Sequence, residues 1–163
     1  MAEEPTAHEH HPAREFVACA LYLDVVLLGG LAVVPSTHLP AGPTVAAVIL
    51  GSAAGLLAAH WLSFRLAVQA TTDGTWHAAD REAFVAQLAG GLGVALAGAA
   101  PFLVLSGPAA VRAAVLVLAA PPAAAGLVIG RLRGHSWPVS LGMALVALAA
   151  AVAVVALKAR TGH

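Results

Sequence analysis

Four polar side chains inside otherwise apolar segments are the residues of this sequence best suited to chemistry. Asp24 stands near the middle of the segment 16–34 and is its only charged residue. His60 and Arg65 lie near the end of a second apolar segment, and Gln87 lies near the start of a third. A lone carboxylate inside a bilayer costs about 2.5 to 3.5 kcal/mol on insertion scales. Asp24 therefore needs a partner, a cavity or a proton.

The composition places these side chains in a membrane protein. Of the 163 residues, 60% are hydrophobic and 10% are charged, and the mean hydropathy is +0.88. A soluble domain carries about 25% charged residues, so this chain has too little polar surface for water. Its formal net charge of zero removes any electrostatic argument for nucleic acid. We expect an integral membrane protein whose surroundings are the lipid bilayer.

Five apolar segments are long enough to cross a hydrocarbon core of about 30 Å. They predict an all-α, polytopic membrane helix bundle in a single membrane-embedded domain over residues 14–160. Pro121 and Pro122 remove two backbone N–H groups near the centre of the fourth segment, so we expect that helix to be kinked or broken. We interpret this pair as a bend, because no polar side chain stands beside it in the sequence. The predicted spans are 16–34, 45–66, 83–105, 111–130 and 138–157.

Residues 1–13 have a different composition, acidic and His-containing, without apolar periodicity. We predict a disordered N-terminal tail. His8, His10 and His11 are suitable metal ligands, but the spacing fixes no geometry, so a solvated polar tail is the better interpretation. We expect no metal and no cofactor.

The distribution of basic residues indicates the orientation. Five helices place the two chain ends on opposite sides of the membrane, and basic residues concentrate on the cytoplasmic side. With the N-terminus inside, five arginines are cytoplasmic and three basic residues are external. We predict a multi-pass protein of the cell (plasma) membrane with a cytoplasmic N-terminus. The internal set is Arg14, Arg65, Arg81, Arg131 and Arg133, and the external set is Arg112, Lys158 and Arg160.

Glycines inside the apolar segments favour close helix packing. Glycines spaced about one turn apart let neighbouring backbones approach, as membrane helices often require. The predicted packing positions are Gly51, Gly55, Gly90, Gly93, Gly126 and Gly130.

The polar residues fall at similar depths in the predicted bundle. Asp24 lies about 12 Å from the inner end of its helix, and His60 lies about 9 Å from the inner end of the antiparallel second helix. Gln87 lies about 5 to 7 Å into the third, with Arg65 at the interface. We therefore expect Asp24, His60, Arg65 and Gln87 to form a cluster in the inner half of the bundle.

Two functions remain open for this cluster. An Asp24–His60 pair can relay protons or small ions, because histidine changes charge around neutral pH. The same pair can instead be an interhelical clamp in a non-catalytic structural or partner-binding subunit. The first alternative predicts a small channel- or transporter-like protein that forms a homo-oligomer. The second predicts association with another membrane protein.

An enzyme is disfavoured by what the sequence lacks. It contains no His-Glu-x-x-His, no Gly-x-Ser-x-Gly and no glycine-rich phosphate loop. The paired acids of an intramembrane aspartyl protease are also missing, since Asp24 is the only acid within a predicted span. We expect no catalytic residue.

Several short features resemble a known group of proteins. Arg14-Glu15, Tyr22 with Asp24, and Ala59-His60-Trp61 are similar to uncharacterised small multi-span integral membrane proteins of actinobacteria. The resemblance covers mainly the first two predicted helices. It implies a bacterial multi-span protein and carries no activity.

Overall fold

Five α-helices make up nearly all of the chain that the structure describes. This structure is a computed structural model, and it describes residues 12–32, 41–71 and 75–161. The prediction of an all-α bundle is confirmed, since no strand occurs within these ranges. The helices are α1 (Pro12–Ala32), α2 (Gly42–Thr71), α3 (Ala78–Val104), α4 (Gly107–Leu132) and α5 (Trp137–Thr161).

Each helix begins before the apolar segment that predicted it, and in α4 turn chemistry sets both ends. At the start of α4, Gly107 has a φ of +59° and Pro108 occupies an early helical position. At its end, Gly134 has a φ of +75°, and its N–H donates to the Arg131 carbonyl at 3.0 Å. The N–H of His135 donates to the Gly130 carbonyl at 3.1 Å, which completes a Schellman motif.

Helix α4 runs without interruption through its two central prolines. Pro121 and Pro122 both lie inside the single helix Gly107–Leu132, so of the two expected alternatives, a kink or a break, the break does not occur. The missing N–H groups still leave the carbonyls of Val117 and Leu118 without their regular helical donors. These two carbonyls therefore need other partners.

Helix α1 is the centre of the bundle. It packs extensively against α3 and also contacts α4 and α5, whereas its contact with α2 is small. Helix α2 packs mainly on α3. Leu23, Leu27 and Leu31 of α1 are almost completely buried. Side chains of α1 are consequently surrounded by protein, and polar groups on it must be satisfied within the bundle.

The outer surface of the bundle is apolar. Leu103, Leu116, Leu132 and Val146 are each more than 60% exposed. Four of the described helices, α2 to α5, are long and apolar enough to cross a membrane. Helix α1 carries Arg14, Glu15 and Asp24 within its 21 residues and is not one of the four, so its crossing stays a prediction. A surface of this kind fits an integral membrane protein.

Three of the predicted packing glycines lie at close helix contacts. A Cβ on Gly90 would collide with the carbonyl oxygen of Phe16, which fixes the closest approach of α1 and α3. Gly126 and Gly130 have the same role between α4 and α5, where a Cβ would lie 2.6 and 2.8 Å from the nearest atoms of α5.

The other three predicted glycines have no such contact within the described chain. Around Gly51, Gly55 and Gly93 nothing lies within 4 Å of an added Cβ. Gly91 and Gly98, which were not singled out, do lie at close contacts, with Leu57 and Leu118 respectively. Spacing identifies glycines that are able to pack, but the rotation of each helix decides which of them do.

Three aromatic rings join α2 to α3 near the connection between them. Trp76 lies with its ring centroid 6.0 Å from that of Phe64 and 6.0 Å from that of Phe84. The Phe64 and Phe84 rings are stacked with centroids 6.3 Å apart. This cluster holds the end of α2 beside the start of α3, and so brings their polar residues to one end of the bundle.

Candidate functional site

Three polar side chains from three helices form one hydrogen-bonded chain, here called the polar triad: Glu15 of α1, His60 of α2 and Gln87 of α3. His60 Nε2 donates to Gln87 Oε1 at 3.0 Å. Gln87 Nε2 donates to Glu15 Oε2 at 2.7 Å. The Gln87 amide accepts from His60 and donates to Glu15, which lies 72 positions before Gln87 in the sequence. Gln87 therefore connects the histidine to the carboxylate.

The triad is positioned by the close contact between α1 and α3. Gly90 lies against the backbone of Phe16, and Gln87 precedes Gly90 by about one helical turn. Glu15, next to Phe16, therefore lies beside Gln87. The Gln87 side chain is only 5% exposed, so both of its polar groups need partners, and the triad supplies them.

Asp24 has a different environment: it borders an apolar cavity, and its carboxylate has no hydrogen-bond partner among the described residues. Its side chain is completely buried, and neither carboxylate oxygen has a hydrogen-bond partner among the described residues. It lines a cavity of about 280 Å³ between α1, α3 and α4, here called the Asp24 cavity. The other lining residues are Phe16, Ala20, Gly90, Gly93, Val94, Ala97, Val117, Leu118 and Pro121.

The expected hydrogen-bonded pair of Asp24 and His60 is not formed. His60 bonds to Gln87, whereas Asp24 lies on the face of α1 that also carries Phe16 and Ala20. This face borders the cavity against α3 and α4. Since α1 and α2 contact each other little, a similar depth along the two helices does not bring Asp24 and His60 together.

Arg65 belongs neither to the polar triad nor to the lining of the Asp24 cavity. Its side chain is exposed on α2, and its guanidinium carbon lies 5.5 Å from the centroid of the Trp61 ring. This cation–π contact suits a residue at the membrane interface, where arginine keeps its charged end in water. Of the four predicted site residues, the structure joins His60 and Gln87, and places Asp24 and Arg65 elsewhere.

Two residues of the site were not recognised from the sequence. Glu15 is not among the predicted site residues, although it completes the triad. Pro121 was interpreted as a bend because its sequence neighbours are apolar, yet it lines the same cavity as Asp24. A period-four pattern on α1, Phe16, Ala20 and Asp24, identifies the face of that cavity, but no signal in α4 identifies its partner.

The described residues include no group of three His, Cys, Asp or Glu side chains able to hold a metal ion. His8, His10 and His11 lie outside the described ranges. The arrangement of Asp24 and the polar triad is thus the basis for a functional proposal.

No protein-family model matches this chain, and comparison with curated proteins and with solved structures finds no match.

Proposed function

We propose that this chain is an integral membrane protein that moves protons or small monovalent cations across the bilayer, with Asp24 as the charge-binding site. The observation that carries the proposal is the Asp24 carboxyl, which is fully buried and has no partner among the described residues. Ionisable groups at membrane depth are expensive and occur mainly on ion and proton pathways. A structural role would require a partner that the described chain does not supply.

The lining of the Asp24 cavity extends from Asp24 towards the start of α1. The cavity is lined by both Phe16 and Asp24, which are separated by about 12 Å along α1. Phe16 is 44% exposed, and Glu15 stands next to it. A cation attracted by the Glu15 carboxylate has only this distance to travel to Asp24.

The polar triad supports a role for Glu15 as the residue that attracts cations at the mouth of the cavity. Gln87 connects Glu15 to His60, so the triad places a carboxylate and an imidazole next to the mouth of the cavity. No hydrogen bond joins the triad to Asp24 within the described residues, and the Asp24 oxygens are closed to solvent, so proton transfer between the two sites requires the bundle to open and admit water.

The proposed protein crosses the cell membrane with five helices and has a cytoplasmic N-terminus. It acts as a homo-oligomer, because a five-helix bundle encloses little space for a pore. The face of α2 with Gly51 and Gly55 suits contact with a second copy, since nothing within the described chain covers these glycines. No nucleic acid and no catalytic step enter this function.

The experiment that tests the function is an ion-flux assay with the full chain in liposomes. A pH gradient is imposed with the membrane potential clamped, and internal pH is followed by a dye. We expect faster proton flux than in protein-free liposomes, and a parallel assay with sodium or potassium gradients measures ion preference. Flux no faster than in protein-free liposomes, with folded protein present, would contradict the proposal.

A second candidate is a structural membrane subunit in which the polar triad is a clamp. The specific observation in its favour is that two hydrogen bonds join α1, α2 and α3. In measured membrane proteins such interhelical bonds contribute about 0.6 kcal/mol on average. The clamp and the ion pathway are compatible, because Glu15 can take part in both, whereas Asp24 belongs to the pathway alone.

The clamp predicts that Gln87→Leu destabilises the bundle by about 1 to 3 kcal/mol, because Glu15 and His60 lose partners in a partly buried position. The measurement is unfolding of the purified protein in detergent. Gln69→Leu is the matched control: Gln69 is exposed on α2, so the same change is expected to leave stability unchanged. Equal stability of the two variants would show that the triad does not act as a clamp.

A further inference from the structure

We infer that the Asp24 cavity binds a proton and not a metal cation, and that the backbone carbonyl of Val117, left without its helical donor by Pro121, accepts the hydrogen bond of the protonated carboxyl. This inference rests on the proposed function and names its ion. It assigns Pro121 as a positioning residue, which acts through the carbonyl group of Val117.

The lining of the Asp24 cavity does not suit a metal cation. Apart from Asp24, the residues that line it have only hydrocarbon or glycine side chains. A hard cation that loses its hydration shell is held by several oxygen ligands, typically carboxylates and carbonyls together. One carboxylate with so few neighbouring oxygens cannot replace that shell. A proton needs only one carboxylate oxygen, and it leaves a neutral acid in the apolar cavity.

A neutral acid in such a cavity still needs an acceptor for its O–H group. The carbonyl of a helical residue points towards the residue four positions later, so the Val117 carbonyl points towards Pro121. Proline has no N–H to donate to it. Val117 and Pro121 both line the Asp24 cavity, so the carbonyl that lacks a donor is directed to the side where Asp24 lies.

The direction of α4 brings this carbonyl towards Asp24. Leu118 lies against Gly98 of α3, while Gly91, two turns earlier in α3, lies against Leu23. Because α4 runs opposite to α1 and α3, the carbonyls of α4 point from the level of Gly98 back to the level of Leu23 and Asp24. The bond between the Asp24 O–H and the Val117 carbonyl would give the buried Asp24 carboxyl a partner and replace the helical donor that the Val117 carbonyl lacks.

The neighbouring residue Pro122 does not line the Asp24 cavity. Pro122 lines a separate apolar groove of about 830 Å³ between α1, α4 and α5, which also includes Leu21 and Val25. The carbonyl four residues earlier belongs to Leu118, which lines the Asp24 cavity, but it points along the helix towards Pro122, which does not. The Pro121–Pro122 pair therefore contains one residue that acts on the Asp24 cavity and one that does not.

No other titratable side chain of the packed helices lines the Asp24 cavity. On α1 the nearest are Glu15, which bonds to Gln87, and Cys19 and Tyr22, which are not among the lining residues. Within the described part of the chain, α4 carries Arg112 and Arg131 near its ends, and α5 has no titratable group from Trp137 to Leu157. On α2, His60 is bonded to Gln87, and on α3, Asp80, Arg81 and Glu82 lie in its first turns.

The proposed step is a simple proton exchange. A proton that enters beside Phe16 forms an O–H bond with one Asp24 oxygen, and this O–H donates to the Val117 carbonyl. On release the O–H bond breaks, the proton leaves with water, and the electron pair stays on the carboxylate. No oxidant, reductant or second ligand takes part.

Infrared difference spectroscopy of the full chain in liposomes tests the inference, with pH titrations in sodium-free and sodium-rich buffers of equal ionic strength. We expect a protonated carboxyl C=O band that titrates in the wild type, is missing in Asp24→Asn and is unaffected by sodium. Pro121→Ala restores an N–H for Val117, so the band should shift to higher frequency. Pro122→Ala, the matched control, should leave the band in place.

Several outcomes would overturn the inference. These are a wild type without a titrating Asp24 band, a band that sodium removes, or equal shifts in Pro121→Ala and Pro122→Ala. If Asp24→Asn does not fold, Asp24→Glu keeps a carboxyl group and identifies the band by its displacement. A band that behaves as expected in a protein without proton flux would leave the inference intact and refute only the transport function.

Discussion

Replacement of Asp24 by leucine is expected to stabilise the folded bundle by about 2 to 3 kcal/mol, which is close to the insertion cost of a central aspartate. The carboxyl is completely buried and has no partner in the described chain, so its removal costs at most the single bond that we infer to the Val117 carbonyl. The cavity of about 280 Å³ beside it has room for the larger side chain. The measurement is unfolding in detergent, with wild type and Asp24→Leu compared in one series.

Whether Asp24→Leu raises or lowers the free energy of unfolding distinguishes an ion-transport role of Asp24 from a structural one. If Asp24 were part of a structural clamp, leucine would remove a bond and lower the free energy of unfolding. Stability that rises while proton flux falls is the pattern of a residue kept for activity at a cost to stability. A variant less stable than wild type would contradict the account of an unpartnered carboxyl. Leu28→Ala, a buried apolar truncation on α1, is the control for ordinary loss of packing and should destabilise.

Gly90→Ala is expected to cost about 2 to 3 kcal/mol, because the added methyl group meets the Phe16 backbone carbonyl, which cannot rotate away. The damage should extend to the polar triad, since the same contact holds Glu15 beside Gln87. Detergent unfolding measures the first effect. Proton flux at matched folded amounts, also expected to fall, measures the second.

Gly93→Ala is the matched control for Gly90→Ala. Gly93 lies three residues further along α3 and lines the same cavity, but nothing stands within 4 Å of an added Cβ. The change in helix propensity is the same for both glycines, so it cancels in the comparison. Similar losses in the two variants would mean that the contact between Gly90 and Phe16 does not set the distance between α1 and α3.

The fold of this chain follows from its sequence more directly than the site does. Runs of apolar residues separated by Pro, Gly and polar turns are sufficient to predict five helices, because a bilayer permits few other structures. The predicted spans mark the apolar part of each helix and not its ends: α2 begins at Gly42 and finishes at Thr71, beyond the predicted span 45–66, since polar residues also continue a helix.

The partners of the polar residues depend on rotations that one sequence does not supply. Depth along a helix follows from 1.5 Å per residue, and it places Asp24 and His60 at similar levels. The direction of each side chain depends on which face of the helix packs, and α1 turns Asp24 towards α3 and α4. Thus Gln87 was correctly grouped with His60, and Asp24 was not.

The importance of Pro121 was missed for a related reason. A proline next to apolar residues in the sequence is usually a bend, and α4 does continue through it. Its neighbour in space is a carboxyl group almost 100 positions earlier. Contacts at that separation depend on the packing of α1 against α4, which local patterns do not reveal.

The two polar sites of the bundle differ in a way that suggests a division of roles. The triad of Glu15, His60 and Gln87 is bonded throughout, which suits the stable joining of three helices. Asp24 is buried and unbonded in the described chain, which suits a group that gains and loses a proton. Changes at the triad should therefore act first on stability, and changes at Asp24 first on flux.

The measurement that tests the central claim most directly is the ratio of proton flux between wild type and Asp24→Asn in liposomes that contain equal amounts of folded protein. Asparagine keeps the size of the side chain but does not titrate. The account predicts a decrease of at least about 100-fold, the lower range for loss of a positioned proton-transfer group, while Glu82→Gln, at an exposed acid outside the cavity, retains wild-type flux. Proton flux that is equal in wild type and Asp24→Asn would contradict the claim that Asp24 carries the transported charge.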